Sequence, residues 1–163
     1  MPGMNRTEKL REHIDSVLLV MNDTEERRCA YLHLYSVSIL ASMIAMKRGE
    51  NTELATIAGM LHDFYTYAKM DSKDHARKGA AFSREVLEHL GITSDEETEK
   101  ICSAIYNHSD KGTIGSSFDE VLKDADVLQH CLYNIAVPPM AHEILRFEKL
   151  KTEFGLGMGI ADD

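Results

Sequence analysis

Leu54-Ala55-Thr56-Ile57-Ala58-Gly59-Met60-Leu61-His62-Asp63 is an apolar stretch that ends on an adjacent histidine and aspartate. Leu54, Ile57, Ala58 and Leu61 recur at the spacing of one helix face, so the stretch reads as a buried helix opened by Asn51 or Thr52. Successive helical side chains diverge by ~100°, so His62 and Asp63 do not lie parallel, yet both can reach an ion in the wedge between them. A carboxylate in that wedge can reach a second ion with its other oxygen. Asp63 is therefore the natural bridging ligand and the residue expected to be catalytic.

Working outward, four more ligand-type residues, His33, His75, His108 and Asp126, sit in separate helix-like segments. A first helix is expected over Thr7 to Val20, and a second runs from an Asp23 or Thr24 cap to about Lys47, where Arg48-Gly49 ends it. In the second helix His33 shares a stripe with Val37, Leu40 and Ile44, which fits a core histidine as well as a ligand. Phe64 to Lys73 carries Tyr65, Thr66 and Tyr67, and the next helix begins at Asp74 and closes at Gly91. His75 lies in its first turn. Gly79, one turn later, is costly in a helix unless something approaches closely there.

Ser94-Asp95-Glu96-Glu97 is a capping box, and the helix it starts carries Ile101, Ala104, Ile105 and His108 on one face. Ser117-Phe118-Asp119-Glu120 reads as a second box, opening a helix with Phe118, Val121, Leu122, Ala125, Leu128 and Leu132 inward. Asp124 and Asp126 both lie in that helix on different sides, and periodicity does not select between them. A last amphipathic helix is expected over Met140 to Glu153, through Ile144, Leu145 and Leu150.

The chain has 163 residues, 44% hydrophobic and 28% charged, the composition of an ordinary globular protein. One domain is expected over residues 1–155, with a flexible tail at 156–163. The net charge of −9 argues against a nucleic acid polymer as partner, since phosphate-backbone affinity comes from clustered Lys and Arg. A small phosphorylated partner stays open where metal supplies the positive charge. No apolar run approaches the ~20 residues that cross a bilayer, and no secretory signal precedes the first helix, so a cytoplasmic protein without membrane contact is expected. Cys29, Cys102 and Cys131 have neither even number nor paired spacing, which points to free thiols. Met60, Met70 and Met140 fit either a core or a homodimer interface.

Imidazole-rich ligation favours one or two divalent transition-metal ions, Fe, Mn, Ni, Co or Zn, over Mg and Ca. Two such ions ~3.5–4 Å apart would polarise a phosphoryl oxygen and supply a metal-bound hydroxide to attack phosphorus. The order His33, His62-Asp63 and then Ala125-Asp126-Val127-Leu128 resembles the HD-domain superfamily of metal-dependent phosphohydrolases, over about residues 31–134. This resemblance, through the family's ADRL-like segment, selects Asp126 over Asp124. His75 and Asn107-His108 are similar to the branch with a dinuclear centre, which includes bacterial hydrolases of diadenosine tetraphosphate. The resemblance implies an all-α bundle, read here as about six or seven helices, and hydrolysis of a phosphate ester or anhydride, with a nucleotide as the expected substrate. It also implies metal ligands at His33, His62, Asp63, His75, His108 and Asp126.

Many relatives carry a lysine three residues after the HD aspartate, where this chain has Thr66. Lys69 arrives three residues later and is, with Lys111, an expected phosphate contact; Arg77 and Lys78 are further candidates. The Thr66 departure also motivates a catalytically inactive nucleotide-binding or signalling module. A di-iron oxygenase on the same scaffold would use the same ligand types.

Overall fold

The computed structural model describes residues 5–157, so residues 158–163 of the expected tail lie outside the described part. Among the described residues there are eight α-helices and no strand: α1 (Arg6–Leu18), α2 (Thr24–Arg48), α3 (Thr52–Leu61), α4 (Phe64–Lys69), α5 (His75–Leu90), α6 (Asp95–Asn107), α7 (Ser117–Tyr133) and α8 (Ile144–Phe154). The short α4 is the helix not anticipated. It spans the aromatic segment after Asp63 and buries Phe64.

Helix starts follow local chemistry. Asp23 accepts from the Glu25 and Glu26 amides, Asn51 from Leu54, and Ser94 closes a capping box with Glu97. The second box is formed by Ser116 with Asp119, one residue earlier than Ser117 with Glu120; Glu120 instead accepts from the Gly115 amide and pairs with Arg146. Gly49 and Gly91 end α2 and α5 in the left-handed conformation.

The centre of the bundle is α2, packed chiefly against α3 and α7, with α6 against α3 and α7 and α5 covering α6. By length and composition alone α2 could cross a membrane, contrary to the reading of apolar runs. Its position is that of a core helix: Ala30, Leu34, Val37, Ala41, Ile44 and Ala45 are fully buried. One crossing decides the placement of the site. A Cβ on Gly59 would lie 2.5 Å from Ser38 Cα, so only glycine lets α3 approach α2 this closely. Gly79 is less constrained, because a Cβ there would meet the His62 carbonyl at 3.4 Å.

Several apolar assignments change. In α7 the inward face is Phe118, Val121, Leu122, Ala125, Leu128 and Cys131, while Leu132 is 43% exposed and borders an open groove beside Ile39 and Leu40 of α2. In α8, Phe147 and Leu150 are buried and Ile144 and Leu145 are exposed, since the helix starts four residues later than Met140 and turns a different stripe toward α7. Met60 is a core residue, whereas Met70 and Met140 are exposed. All three cysteines are free thiols.

Candidate metal centre

The six expected ligands come together from five helices and the joints between them. His33 projects from α2, His62 caps the C-terminal end of α3, and Asp63 sits between α3 and α4. His75 opens α5, His108 caps α6, and Asp126 lies in the middle of α7.

Asp63 divides its carboxylate between two sets of imidazoles. Oδ2 lies 3.1 Å from His33 Nε2 and 3.5 Å from His62 Nε2. Oδ1 lies 3.4 Å from His108 Nε2 and 3.6 Å from His75 Nε2. Asp126 Oδ1 completes the first set, at 3.6 Å from His33 and 3.7 Å from His62. The tightest ligand groups are His33, His62 and Asp126, and His62, Asp63 and His108, with His75 at the more exposed edge.

The imidazoles are oriented from behind. His62 Nδ1 lies 2.7 Å from the Gly59 carbonyl, His108 Nδ1 2.6 Å from the Ile105 carbonyl, and His33 Nδ1 2.9 Å from Gln129 Oε1. A carbonyl oxygen only accepts, so in each ring Nδ1 carries the proton and donates, and the Nε2 lone pair faces inward as a metal ligand requires. His33 Nε2 and His62 Nε2 therefore face each other at 3.0 Å with lone pairs opposed, an arrangement that calls for a positive charge between them. Asp63 Oδ1 and Asp126 Oδ1 are buried with no hydrogen-bond donor. Opposed lone pairs and unmet carboxylate oxygens together fit a bound cation, and the donor set fits a transition metal.

The electrostatics agree. Burial raises the Asp63 carboxyl pKa, but positive charge and N–H donation from His62, His108 and His33 outweigh it and hold the group well below the usual carboxylate range when those rings carry the protons, a role that a bound cation would take over. For Asp126 burial is likewise outweighed, here by Lys111, His62 and His130. Burial pushes the His62 imidazole down, which keeps it a neutral ligand. His33 is also opposed by burial, yet Asp63 and Asp126 raise it.

The two lysines expected to contact phosphate have different surroundings. Lys69 is exposed, with its ammonium 5.3 Å above the Phe82 ring. The side chain of Lys111 is 5% exposed: its Nζ donates to Asp126 Oδ2 at 2.6 Å and to the His108 carbonyl at 2.7 Å. It thus holds one ligand carboxylate against the helix end that carries another ligand, with its charge already partnered. Arg77 pairs with Asp74 and Lys78 with Asp71. The Thr66 hydroxyl is buried without a partner.

The sequence reading missed three residues of the site. His130 stacks on His33 with ring centroids 5.4 Å apart and places Nε2 3.4 Å from Asp126 Oδ1. Its Nδ1 meets the buried Glu143 carboxylate at 2.8 Å. The i,i+4 spacing from Asp126 to His130 was a usable signal, since it puts both on one face of α7. Gln129 and Glu143 left no such mark: each acts through a neighbour that only the fold supplies.

No curated protein matches this chain. A crystal structure of a predicted HD superfamily hydrolase from an uncultured Thermotogales bacterium matches it with a TM-score of 0.61, over 93% of this chain and 95% of that one. At 23% sequence identity that likeness shows the fold. The HD domain family model matches residues 30–130. As that match runs from α2 to α7 and takes in the helices that hold His33, His62-Asp63 and Asp126 in place, this chain belongs to the HD domain family.

Proposed function

We propose that the chain is a metal-dependent phosphohydrolase that cleaves a phosphate ester or anhydride of a small molecule, a nucleotide being the favoured substrate. The observation that carries this reading is Asp63, whose two oxygens face two separate imidazole sets while Oδ1 has no protein donor. Divalent ions held there supply positive charge to polarise a phosphoryl oxygen and to acidify a water.

The chain's own residues do the remaining work. Asp63 and Asp126 stay ionised, and the carbonyl partners of His33, His62 and His108 keep Nε2 available. Tyr67 lines the cavity beside Asp63, and burial together with the Asp63 charge pushes its hydroxyl pKa up, so it stays protonated and can donate to a phosphoryl oxygen.

Metal analysis of the wild type and Asp63→Ala tests the reading. About two transition-metal equivalents are expected in the wild type and near none in the variant, with loss of phosphate release. An Asp63→Ala protein that keeps its turnover would remove the reading. A second reading, a nucleotide-binding module without turnover, is favoured by Thr66 and by the position of Lys69 over Phe82. Calorimetric nucleotide binding with no hydrolysis under any of Mn, Fe, Ni, Co or Zn would select it.

A further inference from the structure

We propose that the site takes a monophosphate ester whose leaving group carries an uncharged flat or apolar portion, and not a polyphosphate. The proposal rests on the phosphohydrolase reading and deepens it. The cavity beside the centre has a volume of about 250 Å³, with His33 and Asp63 against the ligand cluster and Leu32, Tyr67 and Tyr133 among its walls. Asp63 is the one carboxylate in that lining, and no lysine or arginine contributes to it among the described residues.

The cations of the neighbouring helices lie outside that lining. Lys111 is held by Asp126 and the His108 carbonyl and Lys78 by Asp71, whereas Arg77 and Arg28 form exposed pairs with Asp74 and Glu25 and Lys69 lies over the Phe82 ring. Ions held by His33, His62, Asp63, His108 and Asp126 would partner one phosphoryl group. Further phosphates would lie along neutral side chains without the charge-assisted hydrogen bonds that hold them elsewhere, on a chain of net charge −9.

What the cavity does continue into is apolar. A groove of about 430 Å³ shares Leu32, Gln129 and Tyr133 with it and extends over Ile39, Leu40 and Leu132. The shared residues make the groove an extension of the site, and Tyr133 offers an aromatic ring at the junction. A base-sized uncharged group attached to the phosphate can rest there and remove apolar surface from water.

Adenosine 5′-monophosphate, ribose 5-phosphate and adenosine 5′-triphosphate separate the possibilities. The first two share the same 5′ alkoxide leaving atom and differ in the base, and the third adds charge. For the metal-loaded full chain, kcat/KM for the monophosphate is expected to exceed that for ribose 5-phosphate by about tenfold or more, the scale of one stacked base. It should exceed the triphosphate similarly. Ile39→Glu and Leu132→Glu, at positions 68% and 43% exposed, should fold and bring the monophosphate-to-ribose-phosphate ratio down by about tenfold.

A triphosphate used as well as the monophosphate, or a ratio that neither variant moves, would overturn the proposal and leave the phosphohydrolase reading standing. If none of the three is hydrolysed, calorimetry on the same metal-loaded protein distinguishes the remaining cases. Adenosine monophosphate binding more tightly than both others supports the ligand class while the hydrolase reading fails; equal or absent binding overturns both.

Discussion

Asp124 and Asp126 stand two residues apart on α7 and are almost equally buried, at 7% and 5% exposure, yet they serve opposite ends. Asp124 is saturated: Arg146 Nη1 donates to its Oδ1 at 2.9 Å and Arg48 Nη2 to its Oδ2 at 2.7 Å. Those arginines also hold Glu120 and Glu153, which ties α8 and the end of α2 to α7. Asp126 has Lys111 on Oδ2 alone, and Oδ1 faces three imidazoles without a donor. Burial marks both carboxylates; what marks function is the oxygen whose valence the protein leaves unmet. A fully partnered buried charge holds structure together, and a half-partnered one has room for a cation.

Asp126→Asn and Asp124→Asn are the most direct way to break this contrast. Asp126→Asn should weaken metal binding by more than about a hundredfold, beyond the range seen when an outer-shell partner is lost. Its counterpart should bind metal as the wild type does, and metal loss in Asp124→Asn would erase the distinction. A smaller effect is expected at Lys111, which positions Asp126. Lys111→Met should lower metal affinity by about 10- to 100-fold, read by chelator competition.

The contrast also depends on helix placement. Gly59→Ala must move α3 off α2, with a cost of about 1–3 kcal/mol, visible as a lower denaturation midpoint. Since His62 follows one turn later, metal affinity should fall with it, and a variant of unchanged stability would mean that the crossing is looser than described. Asp124→Asn leaves each arginine one carboxylate, so about 1–2 kcal/mol is expected from it, or a few degrees in Tm.

A last test concerns the buried thiols. Burial raises Cys102 and Cys131 from the ordinary 9.0 to about 11. A group with a raised folded-state pKa contributes stability below its unfolded value and loses it as the pH rises through the folded one. Tm should therefore decline modestly between pH 9 and 11, and at pH 8 a thiol reagent should modify the part-exposed Cys29 before either of them. Equal labelling of all three would show that α6 and α7 open readily.

Much of the bundle was legible because helices are written in local terms. Caps at Asp23, Asn51 and Ser94 and stops at Gly49 and Gly91 are set by residues a few positions apart. Apolar stripes place His33, His62 and His108 on inward faces for the same reason. Where a helix packs on one side only, as at the ends of α7 and α8, the stripe overstated burial at Leu132, Ile144 and Leu145.

By itself, then, the sequence determined seven of the eight described helices, their order and a set of candidate ligands in which local pattern left Asp124 and Asp126 unresolved, since each depends on chemistry within one or two turns. Only the tertiary structure decided that Asp63 faces two imidazole sets, that Lys111 serves Asp126, and that His130 with Glu143 joins the site. It alone separated Asp126 from Asp124 on physical grounds. Those outcomes depend on donors and acceptors brought from helices far apart in the chain, and local periodicity carries no record of which partner will satisfy a buried charge.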